Sequence, residues 1–452
     1  MSVQRNNGRP VAILGAGLAG LLAGNYLGNL GIPVLIFESS EQIAGLARSF
    51  QDNGFTYDFG AHFITNRLAN AVGIQDQCHD VKYYGETVLL AGQYYSYPFG
   101  LLRNFGFLKS AIRQKFVSKG GPSSNLYERF TQMYGPLLAS QVAAPLAEEW
   151  SGVSASLLAP SVADKIPASI AKVLFLRAMS FVTGRAIAIG YGKEKPPSVR
   201  TWHVYPKGGV ASLCEHLAQP IRQCIRFRSR VEAIVVREGR AEKVCVNGQE
   251  HDVSAVISTA PCNVLPRLVK GTDCLNYLSS FRYRAMIFVL LEMRGRGLVK
   301  DTVVWTPESV YPFFRLTEAP ISMPWLAPPG KTMITVDIGS EVGDGFWVMS
   351  DSELAKICLK YLEGIIQGAE ERFLGCRVLR TPFAYPVFLN EYENDRKRFR
   401  ESTGVERLYS IGRNGEFDHL LTEDVYWRTV IKMESVACQV MESNGELAAR
   451  PR

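Results

Sequence analysis

The chain has 452 residues, of which 47% are hydrophobic and 21% are charged. This length suffices for two or three hydrophobic cores, and the composition excludes disordered, collagen-like and coiled-coil proteins. The formal net charge of +7 is small for the length. It gives weak support for nucleic-acid binding and fits anionic substrates or membrane surfaces equally well.

Cysteine and histidine give no sign of a metal site or a disulfide framework. The nine cysteines include no CxxC pair, and the six histidines show no metal-ligand spacing. We therefore expect no metal, free thiols in a reducing compartment, and a cytoplasmic protein that acts on a small molecule without a nucleic-acid partner.

The first uncharged run, residues 11–37, resembles a signal peptide or a membrane-spanning helix. A spanning helix has no use for the Gly-Ala-Gly sequence at residues 15–17, so we divide the run differently. We predict a buried strand at 11–14, a turn, a helix at 18–30 and a second strand at 34–37.

This strand–turn–helix–strand unit predicts a dinucleotide site. Gly15 permits a tight turn, Gly17 lets backbone N–H groups approach a pyrophosphate, and Glu38 accepts a hydrogen bond from a ribose hydroxyl. A glycine turn without a nucleotide is the alternative, which the complete unit disfavours. The remaining predicted contacts lie in the first turn of the helix: Leu18, Ala19 and Gly20.

Two further segments decide between nicotinamide and flavin. Residues 44–49 read Ala-Gly-Leu-Ala-Arg-Ser, and residues 54–63 read Gly-Phe-Thr-Tyr-Asp-Phe-Gly-Ala-His-Phe. In this order they resemble the flavin amine oxidase and protoporphyrinogen oxidase superfamily, although Ala44 replaces the first glycine of the usual pair. The resemblance implies FAD, with contacts near the pyrophosphate and flavin from Gly45, Leu46 and Arg48, and contacts at the isoalloxazine edge from Gly60, Ala61 and His62.

The middle and the end of the chain extend the resemblance. By family match, the backbone of Val231 lies against the adenine, and a strand at 256–261 returns the chain from the nucleotide domain. Residues 408–417 predict a strand and a Gly-Arg turn, followed by a helix at 425–442. The resemblance implies that Gly412 and Arg413 touch the ribityl-phosphate region and that Asp424 and Val425 lie near the ring. The Gly-Arg turn resembles the protoporphyrinogen-oxidase-like and UDP-galactopyranose-mutase-like branches.

The predicted fold is α/β, with a Rossmann-like FAD-binding domain built discontinuously from residues 1–65, 200–262 and 400–452. Residues 66–199 and 263–399 form the predicted substrate-binding domain of mixed sheet and helices. Its strands are expected at 285–291, 311–315 and 332–336, with a covering helix at 352–366. In the first insert, the basic run 101–119 contains no acid. Its composition suits a membrane-surface helix, but a solvated surface helix is the favoured interpretation.

The catalytic candidates are His62 and Arg315. His62 is a candidate because of its motif. The alternative, which has equal weight, is that His62 is a buried histidine with a purely structural role. Arg315 follows the aromatic residues Tyr311, Phe313 and Phe314, and a guanidinium among aromatics is costly to bury unless it meets an anion. Its partner could be an anionic substrate or a nearby acid such as Glu318.

Three functional hypotheses fit these features. The first is an FAD-dependent oxidase, dehydrogenase or desaturase that removes hydride from a C–N or C–C bond in an enclosed pocket. The second is a redox-neutral flavin isomerase or mutase of a nucleotide sugar. The third is a non-catalytic flavoprotein, because a fold alone does not fix a function.

Overall fold

The computed structural model describes residues 8–60, 62–97, 99–117, 121–165 and 170–443. The predicted cofactor contact Ala61 and the end of the basic run, including Lys119, lie outside these residues. The described part is a mixed α/β fold, which confirms the predicted class.

The strands, numbered along the chain, are β1 Val11–Leu14, β2 Val34–Phe37, β3 Ser49–Asp52, β4 Phe55–Asp58, β5 Ile64–Thr65, β6 Cys78–Asp80, β7 Glu86–Leu90, β8 Gln93–Ser96, β9 His203–Pro206, β10 Ile225–Arg226, β11 Val231–Arg237, β12 Arg240–Val246, β13 Gln249–Asp252, β14 Ala255–Ser258, β15 Val269–Lys270, β16 Tyr283–Arg294, β17 Val303–Trp305, β18 Arg315–Thr317, β19 Lys331–Ser340, β20 Phe373–Pro386 and β21 Leu408–Ser410.

The α-helices are α1 Leu18–Asn29, α2 Asn66–Val72, α3 Phe105–Val117, α4 Leu126–Tyr134, α5 Pro136–Leu138, α6 Ala144–Ser151, α7 Ile170–Thr183, α8 Ala211–Ala218, α9 Leu265–Leu268, α10 Ala319–Ser322, α11 Gly345–Val348, α12 Asp351–Leu362, α13 Ala369–Arg372, α14 Glu393–Glu401, α15 Gly412–Gly415 and α16 Thr422–Ser443. Within the described residues, no helix is both long and apolar enough to cross a membrane.

A five-stranded parallel sheet gathers distant parts of the chain in the order β10-β2-β1-β14-β21. Its central strands β1 and β14 are buried along their whole length, which explains why they are continuous apolar runs rather than alternating ones. The uncharged run at the start of the chain therefore folds as β1, α1 and β2, as predicted. The boundaries proposed for the two domains stay a prediction.

A second, seven-stranded sheet has the order β20-β16-β19-β18-β17-β7-β8 and takes strands from both predicted inserts. Along its long strand β16, successive side chains point to opposite faces. Ile287 and Val289 pack in the core that α12 covers, whereas Met286 and Phe288 pack toward β4. The sheet thus has one face under α12 and another turned toward the chain that follows the glycine-rich unit.

Two details of this sheet differ from the prediction. The covering helix α12 begins at Asp351, behind a capping box formed by Ser350 and Glu353, and ends at Leu362, four residues short of the predicted end. Residues 311–314 form a turn rather than a strand, because Pro312 has no backbone N–H to give a ladder. Only Arg315 of that segment lies in a strand, at the start of β18.

Glu318, at the end of β18, is a buried structural carboxylate. Its Oε1 accepts from the backbone N–H of Gly297 at 2.6 Å and from the Thr332 hydroxyl at 2.8 Å. Its Oε2 accepts from the N–H groups of Leu298 at 2.8 Å and Val299 at 3.0 Å. Glu318 therefore fixes the loop after β16 and is not the partner of Arg315, which corrects that prediction.

Glu318→Ala should lower the thermal unfolding midpoint, because it leaves four donors without an acceptor, of which the Val299 N–H and the Thr332 hydroxyl are buried. The expected loss is on the order of 3 kcal/mol in the free energy of unfolding. Circular dichroism melting of the purified protein measures it. The exposed Glu401→Ala is the matched control and should change the free energy by less than about 0.5 kcal/mol. Equal midpoints for both variants would contradict this role.

Candidate active site

The turn between β1 and α1 leaves open space at one glycine and none at the other two. Gly15 has φ +99°, and a Cβ there would lie 2.4 Å from Oγ1 of Thr259. A Cβ at Gly20 would lie 2.0 Å from the carbonyl oxygen of Gly15. A Cβ at Gly17 would have no atom within 4 Å. Gly17 therefore borders a space that a ligand can enter, as the dinucleotide prediction requires.

Glu38 is held at the end of β2 by two backbone donors. Its Oε2 accepts from the N–H of Ala16 and its Oε1 from the N–H of Ser40, both at 2.8 Å. A carboxylate has about four acceptor positions, so capacity remains for a ribose hydroxyl. The backbone N–H of Ser229 donates to the Glu38 carbonyl at 2.8 Å, which brings the start of β11, with Val231, to this end of the sheet.

The segment after β2 returns to the same turn. Ala44 donates its backbone N–H to the carbonyl of Ala16 at 2.8 Å and adopts a left-handed conformation with φ +81°. This is the conformation that glycine favours, which explains the usual glycine pair, and alanine adopts it at a cost of about 1–3 kcal/mol. A Cβ at Gly45 would lie 3.5 Å from the Cα of Gly17.

The residues that follow Gly45 extend along this turn. Leu46 lies in the short helical turn Gly45–Ala47. Nη2 of Arg48 donates to the hydroxyl of Ser40 at 3.4 Å, and its buried Nε has no hydrogen-bond partner among the described residues. An unpaired guanidinium nitrogen beside the glycine turn suits a phosphate ligand.

The far end of the chain meets the same turn through Gly412. This residue has φ +79°, and a Cβ there would lie 2.7 Å from Cβ of Ala19 in the first turn of α1. The two ends of the chain therefore touch at the carboxyl ends of β1, β14 and β21, the edge at which parallel sheets bind ligands.

Asp424 and Val425 lie at the start of α16. The Asp424 carboxylate accepts from the backbone N–H groups of Lys193 at 2.6 Å and Glu194 at 3.1 Å, and from Leu421 at 3.3 Å. Val425 is buried in the core around α1. The Asp424 side chain is thus engaged within the protein, and a contact of these two residues with the flavin stays a prediction for their backbone.

His62 follows β4, whose last residue anchors a buried network. Asp58 accepts hydrogen bonds from the hydroxyls of Tyr205 and Ser49, and Ser49 in turn accepts from the N–H of Ala211 at 3.0 Å. Burial lowers the pKa of His62, and the nearby charges of Arg413 and Arg315 act in the same direction. Its buried Nδ1 has no hydrogen-bond partner among the described residues, whereas the backbone of Gly60 acts on the ring, so the catalytic role of His62 stays a prediction.

Arg315 pairs with Asp337, which faces it across β18 and β19. Burial opposes the charge of Arg315, but the Asp337 carboxylate outweighs it and raises the pKa of the guanidinium. Arg315 also lies over the ring of Trp305, with 5.4 Å from its Cζ to the ring centroid. The alternative of an ion pair is therefore present, with Asp337 rather than Glu318.

Arg413, in α15, lies close enough to His62 and Arg315 for their charges to interact, and we refer to the surroundings of these three side chains as the candidate pocket. Its Cζ lies 4.7 Å from the ring centroid of Tyr385, and burial lowers its pKa. Its Nε has no hydrogen-bond partner, and within the described residues it forms no ion pair. A buried guanidinium without an ion pair lowers the stability of the folded protein unless an anion binds to it.

The sequence prediction missed the tyrosines of this pocket. The Tyr84 hydroxyl donates to Glu86 at 2.5 Å, and the Trp305 indole N–H donates to the same carboxylate at 2.8 Å. Burial raises the pKa of Tyr84 and of Tyr191, and the charge of Arg315 opposes this rise in both. No local motif marks these residues, because they come from separate loops.

A family model described as flavin containing amine oxidoreductase matches residues 18–414. The chain belongs to this family. The predicted superfamily is thereby confirmed, and FAD is the cofactor. The glycine turn, the space at Gly17 and the carboxylate of Glu38 fit its dinucleotide half.

Curated relatives match only short stretches. Phytoene desaturase (lycopene-forming) of Pantoea ananas is 40% identical over 61 residues, 14% of this chain and 12% of the relative. Protoporphyrinogen oxidase 2 of Arabidopsis thaliana is 36% identical over 63 residues, again 14% of this chain and 12% of the relative. The aligned region thus spans about an eighth of each relative's length.

Solved structures match over the whole fold. Reduced UDP-galactopyranose mutase has a TM-score of 0.79 at 19% identity, covering 96% of this chain and 97% of that one. A putative protoporphyrinogen oxidase from Exiguobacterium sp. 255-15 has a TM-score of 0.72 at 15% identity, covering 95% and 99%. Cyclohexylamine oxidase from Brevibacterium oxydans IH-35A has 0.70 at 13%, covering 96% and 100%. At these identities the likeness shows the fold.

Gly17→Val should abolish FAD retention without unfolding the protein. Gly17 has φ −75°, which any residue adopts, and an added Cβ has no protein atom within 4 Å. It would occupy the place of the pyrophosphate. The measurement is the flavin-to-protein absorbance ratio after purification. Gly345→Val, at another open glycine, is the matched control and should keep its flavin. A flavin-loaded Gly17→Val would show that the pyrophosphate lies elsewhere.

His203, beside Tyr191 in the pocket wall, should make the protein acid-sensitive. Burial lowers its pKa to about 4. The unfolded chain takes up this proton near pH 6.5, so stability falls as the pH drops from about 6.5 to about 4, by up to about 3 kcal/mol. In His203→Phe, the fall in melting temperature between pH 7 and pH 4.5 should be smaller than in the wild type. The half-buried His216→Phe is the control and should follow the wild type.

Proposed function

We propose that the protein is an FAD-dependent oxidoreductase that removes hydride from a C–N or C–C bond of a small organic substrate carrying an anionic group. The observation that carries this proposal is the convergence of two buried arginines, Arg315 and Arg413, on the pocket around His62 in a member of this family. Buried guanidinium groups are the side chains of choice for binding carboxylate or phosphate.

The two arginines differ in how much charge remains for a substrate. Asp337 neutralises much of Arg315, which still has a buried Nε without a hydrogen-bond partner. Arg413 has the aromatic ring and hydroxyl of Tyr385 as its neighbour and no carboxylate in contact among the described residues. We therefore assign the main anion contact to Arg413 and a secondary, orienting contact to Arg315.

The other residues of the pocket shape the surroundings of the reaction. FAD, when bound, supplies the hydride-accepting chemistry. The tyrosines 84, 191 and 385 form an aromatic wall that excludes water and strengthens the few polar contacts to the substrate. Because its pKa is lowered, His62 is neutral at pH 7, so one ring nitrogen can accept a hydrogen bond or a proton from the substrate.

A redox-neutral isomerase or mutase acting on a nucleotide sugar is the second candidate. The observation that favours it is the proximity of two guanidinium groups, because the charge of Arg315 lowers the pKa of Arg413. A diphosphate has two adjacent anionic groups, and each could bind one guanidinium. The whole-chain likeness to a UDP-galactopyranose mutase is a likeness of fold and adds no weight beyond that.

One experiment separates the hypotheses. The anaerobic protein is mixed with a library of anionic and neutral metabolites while flavin absorbance is followed. Bleaching by a substrate, and turnover only when an electron acceptor is added, supports the proposed oxidation. Product formation without any acceptor supports the mutase. Flavin that neither substrates nor dithionite can bleach would point to a non-catalytic flavoprotein.

The double variant Arg315→Met/Asp337→Asn should raise the KM for an anionic substrate by about tenfold or more, because a charge-assisted contact is lost. Both members of the buried pair are replaced, since Arg315→Met alone would leave the Asp337 charge uncompensated and destabilise the fold. Steady-state kinetics measure KM, and the flavin-to-protein ratio shows whether the cofactor is retained.

Asp337→Asn alone is the control with the opposite expected sign. It frees the Arg315 guanidinium from its ion pair, so KM for the same anionic substrate should fall or stay unchanged. If the double variant turns over the substrate with the wild-type KM, Arg315 does not contact the anion. If it loses its flavin, Arg315 serves the cofactor instead.

A further inference from the structure

Helix α3 presents its apolar stripe to solvent. Phe105, Leu108, Ile112 and Phe116 follow one another at helical spacing and are all exposed, with 78% of Phe105 and 87% of Phe116 accessible. The opposite face carries the buried Phe107, which packs against α5. More of the large apolar residues of α3 are therefore exposed than buried, whereas a helix adapted to water exposes mainly polar residues.

Helix α7 repeats this arrangement. Its buried face is formed by Val173 and Leu176, whereas its exposed residues include Leu174, Phe175, Phe181 and Val182. Phe181 is 91% accessible. The guanidinium of Arg177 in α7 donates to the backbone carbonyl of Tyr97, just before the turn that leads into α3. This contact joins α7 to the segment that leads into α3, and each helix exposes more apolar residues than the single, scattered ones of an ordinary surface.

The two sequence segments that contain these helices carry charge of one sign, although Asp80 from outside them pairs with Arg185. Between Glu86 and Glu128 the sequence has five basic residues and no acid, and between Asp164 and Glu194 it again has five basic residues and no acid. These ten basic residues exceed the net charge of the whole chain, so the remainder is slightly acidic. On α3, the exposed residues Lys109, Arg113 and Lys115 form no ion pair within the described part of the chain.

We propose that the outer faces of α3 and α7 dock onto an anionic lipid bilayer. Exposed aromatic and aliphatic residues beside lysine and arginine are the chemistry of a helix lying in the membrane interface, with its apolar side among the acyl chains and its basic groups at the headgroups. A second copy of the chain would bring two basic surfaces together, and like charges disfavour that pairing. The proposal concerns the surface alone and does not depend on the reaction.

The test is co-sedimentation of the flavin-loaded protein with vesicles of phosphatidylcholine alone or mixed with phosphatidylglycerol. The protein should bind the anionic vesicles at least about tenfold more tightly, and added salt should weaken this binding. Equal, negligible binding to both kinds of vesicle would overturn the proposal.

Variants locate the contact. Phe105→Ser/Phe116→Ser on α3 and Phe181→Ser/Val182→Ser on α7 should each weaken binding by about tenfold or more, because exposed side chains would no longer enter the bilayer. The control Val342→Ser/Val348→Ser removes two other exposed apolar side chains and should bind like the wild type. Wild-type binding by both helix variants would overturn the assignment of the surface.

The basic residues are tested separately. Lys109→Gln/Arg113→Gln/Lys115→Gln should lose on the order of 100-fold in binding to anionic vesicles, at about 1 kcal/mol for each charge. Circular dichroism melting verifies that all variants fold, which is expected because the replaced side chains are exposed. Sedimentation equilibrium tests whether a second copy of the chain binds this surface instead. If the wild type is a dimer that binds no vesicles, and Phe105→Ser/Phe116→Ser is a monomer, the proposal is overturned in favour of a second copy.

Discussion

The fold depends on the close contact of two backbone segments that lie almost 400 residues apart. Gly412 comes so near to Ala19 that a Cβ would stand 2.7 Å from the alanine methyl, and Gly15 leaves similarly little room beside Thr259. Such approaches are open only to glycine, and they let the carboxyl ends of β1, β14 and β21 meet at one edge. The proposed cofactor site is formed where these segments touch.

The same edge links the parallel sheet to the second sheet. Gly60 follows β4 with φ +81°, and a Cβ there would lie 3.0 Å from the ring of Phe288 in β16. The chain that carries His62 is thus pressed against the face of the seven-stranded sheet that α12 does not cover. Residues from both sheets therefore surround the proposed FAD site.

The sequence predicted the local fold of the glycine-rich unit, β1, α1 and β2, because its signals are local. Gly15, Gly17, Gly20 and Glu38 occupy fixed positions in one strand–turn–helix–strand unit, and each has a separate steric or hydrogen-bonding reason. The pocket was harder, because Tyr84 and Tyr191 reach it from loops that share no motif. Sequence spacing offers Glu318 as an example of a nearby acid for Arg315. The register between β18 and β19, which sequence spacing does not reveal, sets Asp337 opposite Arg315 instead.

Helix α3 shows a second limit of sequence patterns. Periodicity establishes that a helix has an apolar face, but it does not say whether that face is turned inward. In α3, Phe107 is buried whereas Phe105 and Phe116 are exposed, so α3 is a surface helix, as predicted. Periodicity does not decide whether solvent or a membrane covers its apolar stripe.

The pocket and the surface handle positive charge in opposite ways. In the pocket, Arg315 and Arg413 are withdrawn from water among aromatic rings, where the low dielectric makes each contact with an anion strong and each unpaired charge costly. Asp337 pairs with Arg315 and not with Arg413, and the anion preference that we propose for the pocket rests on this difference. On α3 the basic groups stay hydrated beside exposed phenylalanines, and their attraction to anions is weak per group and depends on salt. Two buried arginines can select one small anion by their geometry. Hydrated basic residues along a helix bind each anion weakly, so they select only an extended surface that presents many anions at once.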